Sequence, residues 1–500
     1  MKVYLIGAGP GDPGLFTLRG KALLEKADVI VYDYLANPSL LQWARPDAEL
    51  VYVGKKAGDH ALRQIEINSL LVEKAREGKL VARLKGGDPY IFGRGGEEAE
   101  ELLEAGIEFE EVPGISSAIA GPAYAGIPLT HRSFASSVTL ITGHEDPDKP
   151  GSAHNWKALA AGANTLVFVM GMKNLPEISR KLIEAGLRPD TPAALVYWGT
   201  TPRHRSLVST LAKLPQEAVA QGFTNPSLIV VGGVVSLHDR LNWFEKKPLL
   251  GRGVVVTRAR EQASGLANML AELGADVIQF PTINISPLAE YGEVDAVVAK
   301  LDGYDWLVFT SVNGVKHFWQ RLAACGKDSR ALGGRKVAAI GPATADELRA
   351  RGIEPDFIPE KYVAEGVVEG LLALGMAGKR VLVPRAKEAR EVLPDELGKA
   401  GAVVDVLPVY QTLPADARRE EVLELLREGR IHCVTFGSSS TVDNFLSLIS
   451  VDTVREHHQV RLAAIGPVTK KTLERHGLEC HIMPEEYTIP ALVEAVKQAL

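Results

Sequence analysis

Fourteen residues, Lys85–Glu98, read K-G-G-D-P-Y-I-F-G-R-G-G-E-E. Five glycines and a proline in so short a stretch make a loop whose backbone N–H and C=O groups can approach a ligand closely. Asp88 and Arg94 add charge of either sign. The apolar run Leu80–Leu84 ahead of it predicts a buried strand, and Glu97–Ala105 behind it carries a helical pattern. Strand, glycine-rich loop and helix is the arrangement by which α/β proteins bind ligands at the carboxyl ends of their strands.

Similar loops precede it. Val3–Ile6 predicts a strand and leads into G-A-G-P-G-D-P-G, Gly7–Gly14. The stretch resembles the dinucleotide fingerprint G-x-G-x-x-G, but Asp12 stands where the third glycine belongs. Pro10 and Pro13 interrupt the helix start that would face a pyrophosphate. NAD and FAD are therefore not expected. Helix Leu18–Lys26, strand Val29–Tyr32 ending at Asp33, strand Leu50–Val53 ending at Gly54-Lys55-Lys56, and helix Gln64–Glu77 complete an alternation that predicts a mostly parallel sheet. Its loops at Gly7, Asp33 and Lys85 then share one edge. Asp33 fits either a turn residue or a cleft carboxylate.

From Val112 onward the pattern changes. V-P-G-I-S-S opens a helix of small residues, Ala118–Tyr124, with Ser116 and Ser117 placed to cap it or to meet a ligand. The predicted strands Ser137–Thr142, Thr165–Met170, Ala193–Trp198 and Leu228–Val231 follow, most of them ending in glycine, so this is a second small α/β domain.

A chain of 500 residues is too long for one core and predicts about three domains or more. At 46% hydrophobic and 24% charged residues it reads as globular, and a formal charge of −6 argues against a general nucleic-acid or membrane-surface binder. The cysteines, Cys325, Cys433 and Cys480, are scattered with neither metal nor disulfide spacing, which fits a reducing cytoplasm and predicts no metal. No secretory leader is read at the start, and no apolar run reaches the roughly 18 residues a bilayer span needs.

The motifs V-Y-L-I-G-A-G-P-G-D-P, V-Y-D, V-G-K, the Lys85–Glu98 loop, V-P-G-I-S-S-A, A-G-I-P-L-T-H-R, I-T-G-H and N-P-S-L-I-V-V-G resemble the tetrapyrrole methylases over about residues 1–245. Within them the chain is most similar to the uroporphyrinogen-III C-methyltransferases. The resemblance implies a two-domain class III methyltransferase fold, subdomains about 1–112 and 113–245, a homodimer, and S-adenosylmethionine bound between the subdomains. It implies two successive methylations of uroporphyrinogen III to precorrin-2. Contacts to S-adenosylmethionine fall by resemblance on Pro10, Gly86, Gly87, Asp88, Ile91, Ser116, Ser117, Met170 and Gly199; alanine often stands at the position of Ser117, and asparagine at that of Trp198. Asp33 matches a proton acceptor and Lys55 a proton donor. A sulfonium methyl is already electrophilic, so alignment matters more than activation. A proton must later leave the macrocycle, and a carboxylate suits that step. The substrate is rich in carboxylates, for which Lys55, Lys56, Arg63, Arg83, Arg94 and Arg132 are candidate partners, with Lys85 and Arg94 leaning toward the macrocycle from the loop. Exposed charges without such a role are equally consistent with part of that set.

Residues 246–251 read as a short linker. Beyond it the chain repeats at a spacing of about 126 residues: G-R-G-V-V-V-T-R-A-R with G-K-R-V-L-V-P-R-A-K, F-T-S-V-N-G-V with F-G-S-S-S-T-V, K-V-A-A-I-G-P-A-T with R-L-A-A-I-G-P-V-T, and P-E-K-Y with P-E-E-Y. Two similar α/β domains with hydroxyl-rich loops and helix N-termini suit anions. T-R-A, I-G-P-x-T and V-Y-Q-T in this order resemble the uroporphyrinogen-III synthases across residues 252–500. The resemblance implies one discontinuous domain, about 253–283 plus 413–500, and a second of 287–407. It implies cofactor-free ring closure of hydroxymethylbilane with inversion of the last pyrrole. Tyr410 matches the family's acid candidate, with strand-end packing as the alternative. Thr344, Ser439 and Thr469 fit substrate-carboxylate contacts or helix capping.

The product of the second half is the substrate of the first. The expectation is a cytoplasmic bifunctional enzyme of sirohaem and cobalamin synthesis, acting on small-molecule tetrapyrroles, with no nucleic-acid or membrane partner. Its rivals are a methylase acting on another precorrin or on a diphthine-like protein, and a methyltransferase whose second half binds tetrapyrrole without synthase activity.

Overall fold

The computed structural model describes residues 2–54, 63–144, 154–257, 260–362, 364–387, 392–414 and 418–500. Lys55 and Lys56 lie outside them. The chain forms two compact units: residues 1–254 with 268–277 and 497–500, and residues 255–267 with 278–496.

The first unit opens with β1 (Lys2–Gly7), β2 (Val29–Tyr32), β3 (Glu49–Tyr52), β4 (Leu80–Lys85) and β5 (Glu108–Val112), ordered β3-β2-β4-β1-β5. Every pairing in this sheet is parallel. Helices Leu18–Leu24, Gln64–Arg76 and Gly95–Glu104 serve as crossovers. Their apolar faces enclose a core in which Leu5, Ile6, Ile30, Leu71, Val81 and Leu84 are fully buried. Parallel strands with helical crossovers put all their carboxyl ends on one edge. The predicted strands and helices stand, with helix ends shifted by one to two residues. The charged run E-F-E-E-V hides β5, an edge strand whose outer positions stay wet.

A second sheet holds β6 (Val138–Thr142), β7 (Thr165–Val169), β8 (Pro192–Tyr197), β9 (Arg205–Thr210) and β10 (Ser227–Val231), in the order β6-β7-β10-β8-β9. Only β6 and β7 pair in parallel; β7–β10, β10–β8 and β8–β9 run antiparallel. β9 is the strand that sequence reasoning missed. It is an edge strand with one buried residue, Leu207, so its apolar alternation is short.

Later strands are β11 (Gly253–Val256), β12 (Asp276–Gln279), β13 (Ile283–Ser286), β14 (Trp306–Phe309), β15 (Lys336–Ala339), β16 (Arg380–Ala386), β17 (Val403–Pro414), β18 (Cys433–Phe436) and β19 (Arg461–Ala464). They build two sheets, β12-β11-β18-β19 and β13-β17-β16-β14-β15. The repeat in the sequence is a repeat in the fold. β14 runs parallel to β15 and β18 parallel to β19. After the first strand of each pair a serine caps a helix, Ser311 in one copy and Ser438 in the other, both with fully extended backbone. Helices Pro342–Arg349 and Pro467–Arg475 start from Gly341 and Gly466 in the same way.

Candidate active site

The carboxyl edge of the first sheet is held together by backbone contacts that only glycine permits. Gly9 and Gly87 exchange N–H···O bonds of 3.1 and 2.7 Å, and the Ala8 N–H donates to the Lys85 carbonyl at 2.7 Å. A Cβ on Gly114 would lie 2.2 Å from the Gly87 oxygen, and one on Gly7 would lie 2.5 Å from Gly114. Gly87 itself has φ +70°, and a Cβ there would meet nothing closer than Ser116 and Ser117 at 3.8 Å. The result is a backbone-lined surface with open space above it. Asp88 braces this surface: Oδ1 accepts from the Tyr90 and Ile91 N–H groups at 2.9 and 3.1 Å, and Oδ2 from the Gly114 N–H at 3.1 Å. Ser116 is buried and caps helix Ser117–Tyr124 through the Ala118 N–H.

Loops of the second sheet reach the same edge. Thr200 Oγ1 accepts from the Asp12 N–H at 3.2 Å, and the Tyr124 hydroxyl donates to Asp12 Oδ2 at 2.7 Å. Burial, then the Asp12 carboxylate, pushes the Tyr124 phenol up. Tyr34 and Trp198 meet edge to face at 5.9 Å. Gly199 packs on the helix, where a Cβ would lie 2.8 Å from Gly121. Asp12 also accepts from the Gly14 N–H at 2.8 Å and starts a single turn, Pro13–Leu15, in place of the long helix that a dinucleotide loop requires.

These contacts join the loop of Pro10, the Gly86–Asp88 stretch, Ser116, Ser117 and Gly199. None of them involves Ile91 or Met170 through its side chain; Ile91 is 42% and Met170 51% exposed. Among the described residues, the non-glycine positive φ angles are Phe92, Arg94, Met170, Trp198 and Thr200, at +43° to +71°. Each stands in a loop at a strand end of the first two sheets, and such backbone strain concentrates at functional sites.

Asp33, at the end of β2, has its carboxylate fixed on both oxygens. Oδ1 accepts from the Leu35 N–H at 3.1 Å and Oδ2 from Arg83 at 3.2 Å. Its side chain stays 27% exposed. The structure corrects two candidates for the acidic substrate. Arg83 and Lys85 are each 3% exposed, because their strand positions face the sheet's covered side, and both are bound to the enclosed Glu98. Desolvation, and the neighbouring Arg83, lower the Lys85 pKa, against the pull of Glu98. Arg94 is exposed and its fork is taken by Glu97 at 2.8 and 2.6 Å. Arg132 is exposed in a tight turn, and Arg63 opens helix Gln64–Arg76.

In the second unit Tyr410 lies in β17 beside an irregularity of that strand: Arg385 pairs with Pro408 and Ala386 with Tyr410, which leaves Val409 as the extra residue. Bulges re-aim side chains next to sites. The Tyr410 hydroxyl is 3.3 Å from Ser311 Oγ, its ring stacks on His317 at 5.1 Å, and burial pushes its pKa up. Ser311 was legible only as part of the repeat motif, since its pairing with Tyr410 crosses 99 residues. Thr344 and Thr469 each lie in the first turn of a helix, Pro342–Arg349 and Pro467–Arg475, and both are 4% exposed. Ser439 bonds the Val468 carbonyl at 3.4 Å, and the cap of its helix is Ser438.

Comparison with known proteins follows the same division. The family model of Tetrapyrrole (Corrin/Porphyrin) Methylases matches residues 2–215, and that of Uroporphyrinogen-III synthase HemD matches residues 264–494. A porphyrin biosynthesis protein HemD of Ruminiclostridium josui is 37% identical over 98% of this chain and 97% of its own length. A uroporphyrinogen-III C-methyltransferase of Bacillus subtilis is 52% identical over 49% of this chain and 95% of its own. The crystal structure of a Thermus thermophilus uroporphyrin-III C-methyltransferase with S-adenyl homocysteine is 39% identical, covers 47% of this chain and 100% of its own, with a TM-score of 0.40. The chain belongs to the tetrapyrrole methylases through its first half and to the uroporphyrinogen-III synthases through its second, and is an enzyme of tetrapyrrole biosynthesis with both activities.

Proposed function

We propose that the second half, about 252–500, closes hydroxymethylbilane to uroporphyrinogen III, and that the first half, about 1–245, methylates that product twice to precorrin-2 for sirohaem or cobalamin. The observation that carries the methylation is the glycine-walled surface at Gly86–Asp88 beside a partly exposed, doubly anchored Asp33. Its open, backbone-lined shape fits S-adenosylmethionine, with Pro10, Ile91, Ser116, Ser117, Met170 and Gly199 as further contacts. When bound, that group supplies an electrophilic methyl. Asp33 accepts the proton that leaves the macrocycle, and Lys55 donates one. Arg132, exposed, and Arg94, once its fork leaves Glu97, meet the substrate's carboxylates, and the first half pairs as a homodimer.

In the second half, loss of the hydroxymethyl oxygen needs a proton. Tyr410 supplies it, held toward Ser311, while Thr344, Ser439 and Thr469 shape the helix starts near the substrate. The 3.3 Å approach of Ser311 Oγ supports this reading, because it anchors the phenol oxygen beside a second hydroxyl. The domains of this half are proposed as about 253–283 plus 413–500, and 287–407.

One experiment separates the parts. The full chain is given hydroxymethylbilane without S-adenosylmethionine, and the uroporphyrinogen isomer is read by chromatography. Type III is the expected product, and type I alone would leave the second half a binding module. Uroporphyrinogen III and S-adenosylmethionine are then supplied together, where a dimethylated product is expected and its absence removes the methyltransferase assignment.

A further inference from the structure

Glu98 lies in the first turn of helix Gly95–Glu104 and is 0% exposed. Three donors converge on its Oε1: Lys85 Nζ at 2.7 Å, Gln64 Nε2 at 3.1 Å and Arg83 Nε at 3.2 Å. Its Oε2 is enclosed and has no hydrogen-bond partner among the described residues. Arg83 Nη1 is spent on the Leu84 carbonyl at 3.1 Å, so Nη2 is left to hold Asp33 at 3.2 Å. Two cations and two carboxylates thus form one cluster, and Asp33 alone reaches the cleft. Buried ion pairs are weak contributors to stability, and apolar residues of like volume often replace them without loss. The cluster therefore calls for another use.

We infer that Glu98 is a positioning residue for methyl transfer: it locks the Arg83 fork so that Arg83 fixes the Asp33 carboxylate, while touching neither substrate nor methyl donor. This rests on the reading of Asp33 as proton acceptor. Gln64 extends the same lock to the start of helix Gln64–Arg76.

The test is steady-state methylation of uroporphyrinogen III by the full chain as wild type, Glu98→Gln, Asp33→Asn and the double variant, with S-adenosylmethionine binding followed by calorimetry. Glu98→Gln should lower kcat on the order of 100-fold, the scale of a reacting group displaced by about 1 Å. Its affinity for S-adenosylmethionine should stay within about twofold, because Gly86, Gly87 and Asp88 do not touch Glu98. In the Asp33→Asn background the same change should cost less than about twofold, since both act through one group. A full kcat in Glu98→Gln, an equal loss in both backgrounds, or a loss confined to S-adenosylmethionine binding overturns the inference. If Glu98→Gln does not fold, Arg83→Lys carries the test; it keeps the cation, loses the fork, and is held to the same three outcomes. Asp33→Asn alone running at the wild-type rate removes Asp33 from the chemistry and overturns the inference with the reading beneath it. A slow Asp33→Asn beside a fast Glu98→Gln overturns the inference alone.

Discussion

At the scale of single residues, Asp33 and Tyr410 are each anchored, Asp33 by Leu35 and Arg83 and Tyr410 beside Ser311 and His317. Asp33→Asn should lower methylation turnover about 100-fold, the general-base range, with S-adenosylmethionine affinity by calorimetry unchanged. Tyr410→Phe should lower formation of the type III isomer by a similar factor, while unfolding shifts by no more than about 1 kcal/mol, the net worth of one hydrogen bond. What was legible here followed residue type and local spacing. Asp33 was readable as a carboxylate at the end of β2, where it both accepts the Leu35 N–H of a turn and meets Arg83. Lys85 and Arg83 misled because their partner, Glu98, sits 13 and 15 residues on and buries both charges.

At the scale of elements, the methylase edge depends on three backbone segments touching at Gly7, Gly87 and Gly114. Gly114→Ala would drive a methyl into the Gly87 carbonyl, so S-adenosylmethionine binding should be lost on calorimetry and stability should fall by about 1–3 kcal/mol. The end of the first half is fastened by Glu245. Burial opposes its charge, yet bonds from His204, Ser206 and Asn242 hold its carboxyl down to about 2. A depressed carboxylate stabilises fully above its unfolded value, 4.5, and that contribution drains away as pH falls from there toward 2. Glu245→Gln should therefore flatten the acid limb of a thermal-unfolding profile in that window. His481 accepts the Leu462 N–H at 3.1 Å where the other repeat copy uses Asp356 on Val337 at 2.8 Å. Burial lowers its pKa below 6.5, so its contribution is full above 6.5 and is lost as pH falls below it. His481→Asn should remove that dependence from the unfolding of the second half. The repeat was visible in the sequence, but this exchange of Asp for His in one structural role was not, because the two side chains share an acceptor and little else.

At the scale of the whole chain, the parallel first sheet was predictable from strand–helix alternation, whereas β9 and β5 were not, since edge strands bury too little to set a pattern. The second half holds strands far apart in sequence. Thr257 Oγ1 donates to the Thr435 carbonyl across 178 residues, and Thr435 Oγ1 returns a bond to Val255 across 180. During translation, at about 5–20 residues per second, the segment at Val255 leaves the ribosome on the order of ten seconds or more before its partner exists. The first half has by then been made, while β11 waits as an apolar, unpaired edge of the kind that invites aggregation. Nascent chains halted before Thr435 should for that reason bind chaperone, and chains halted after β19 should release it.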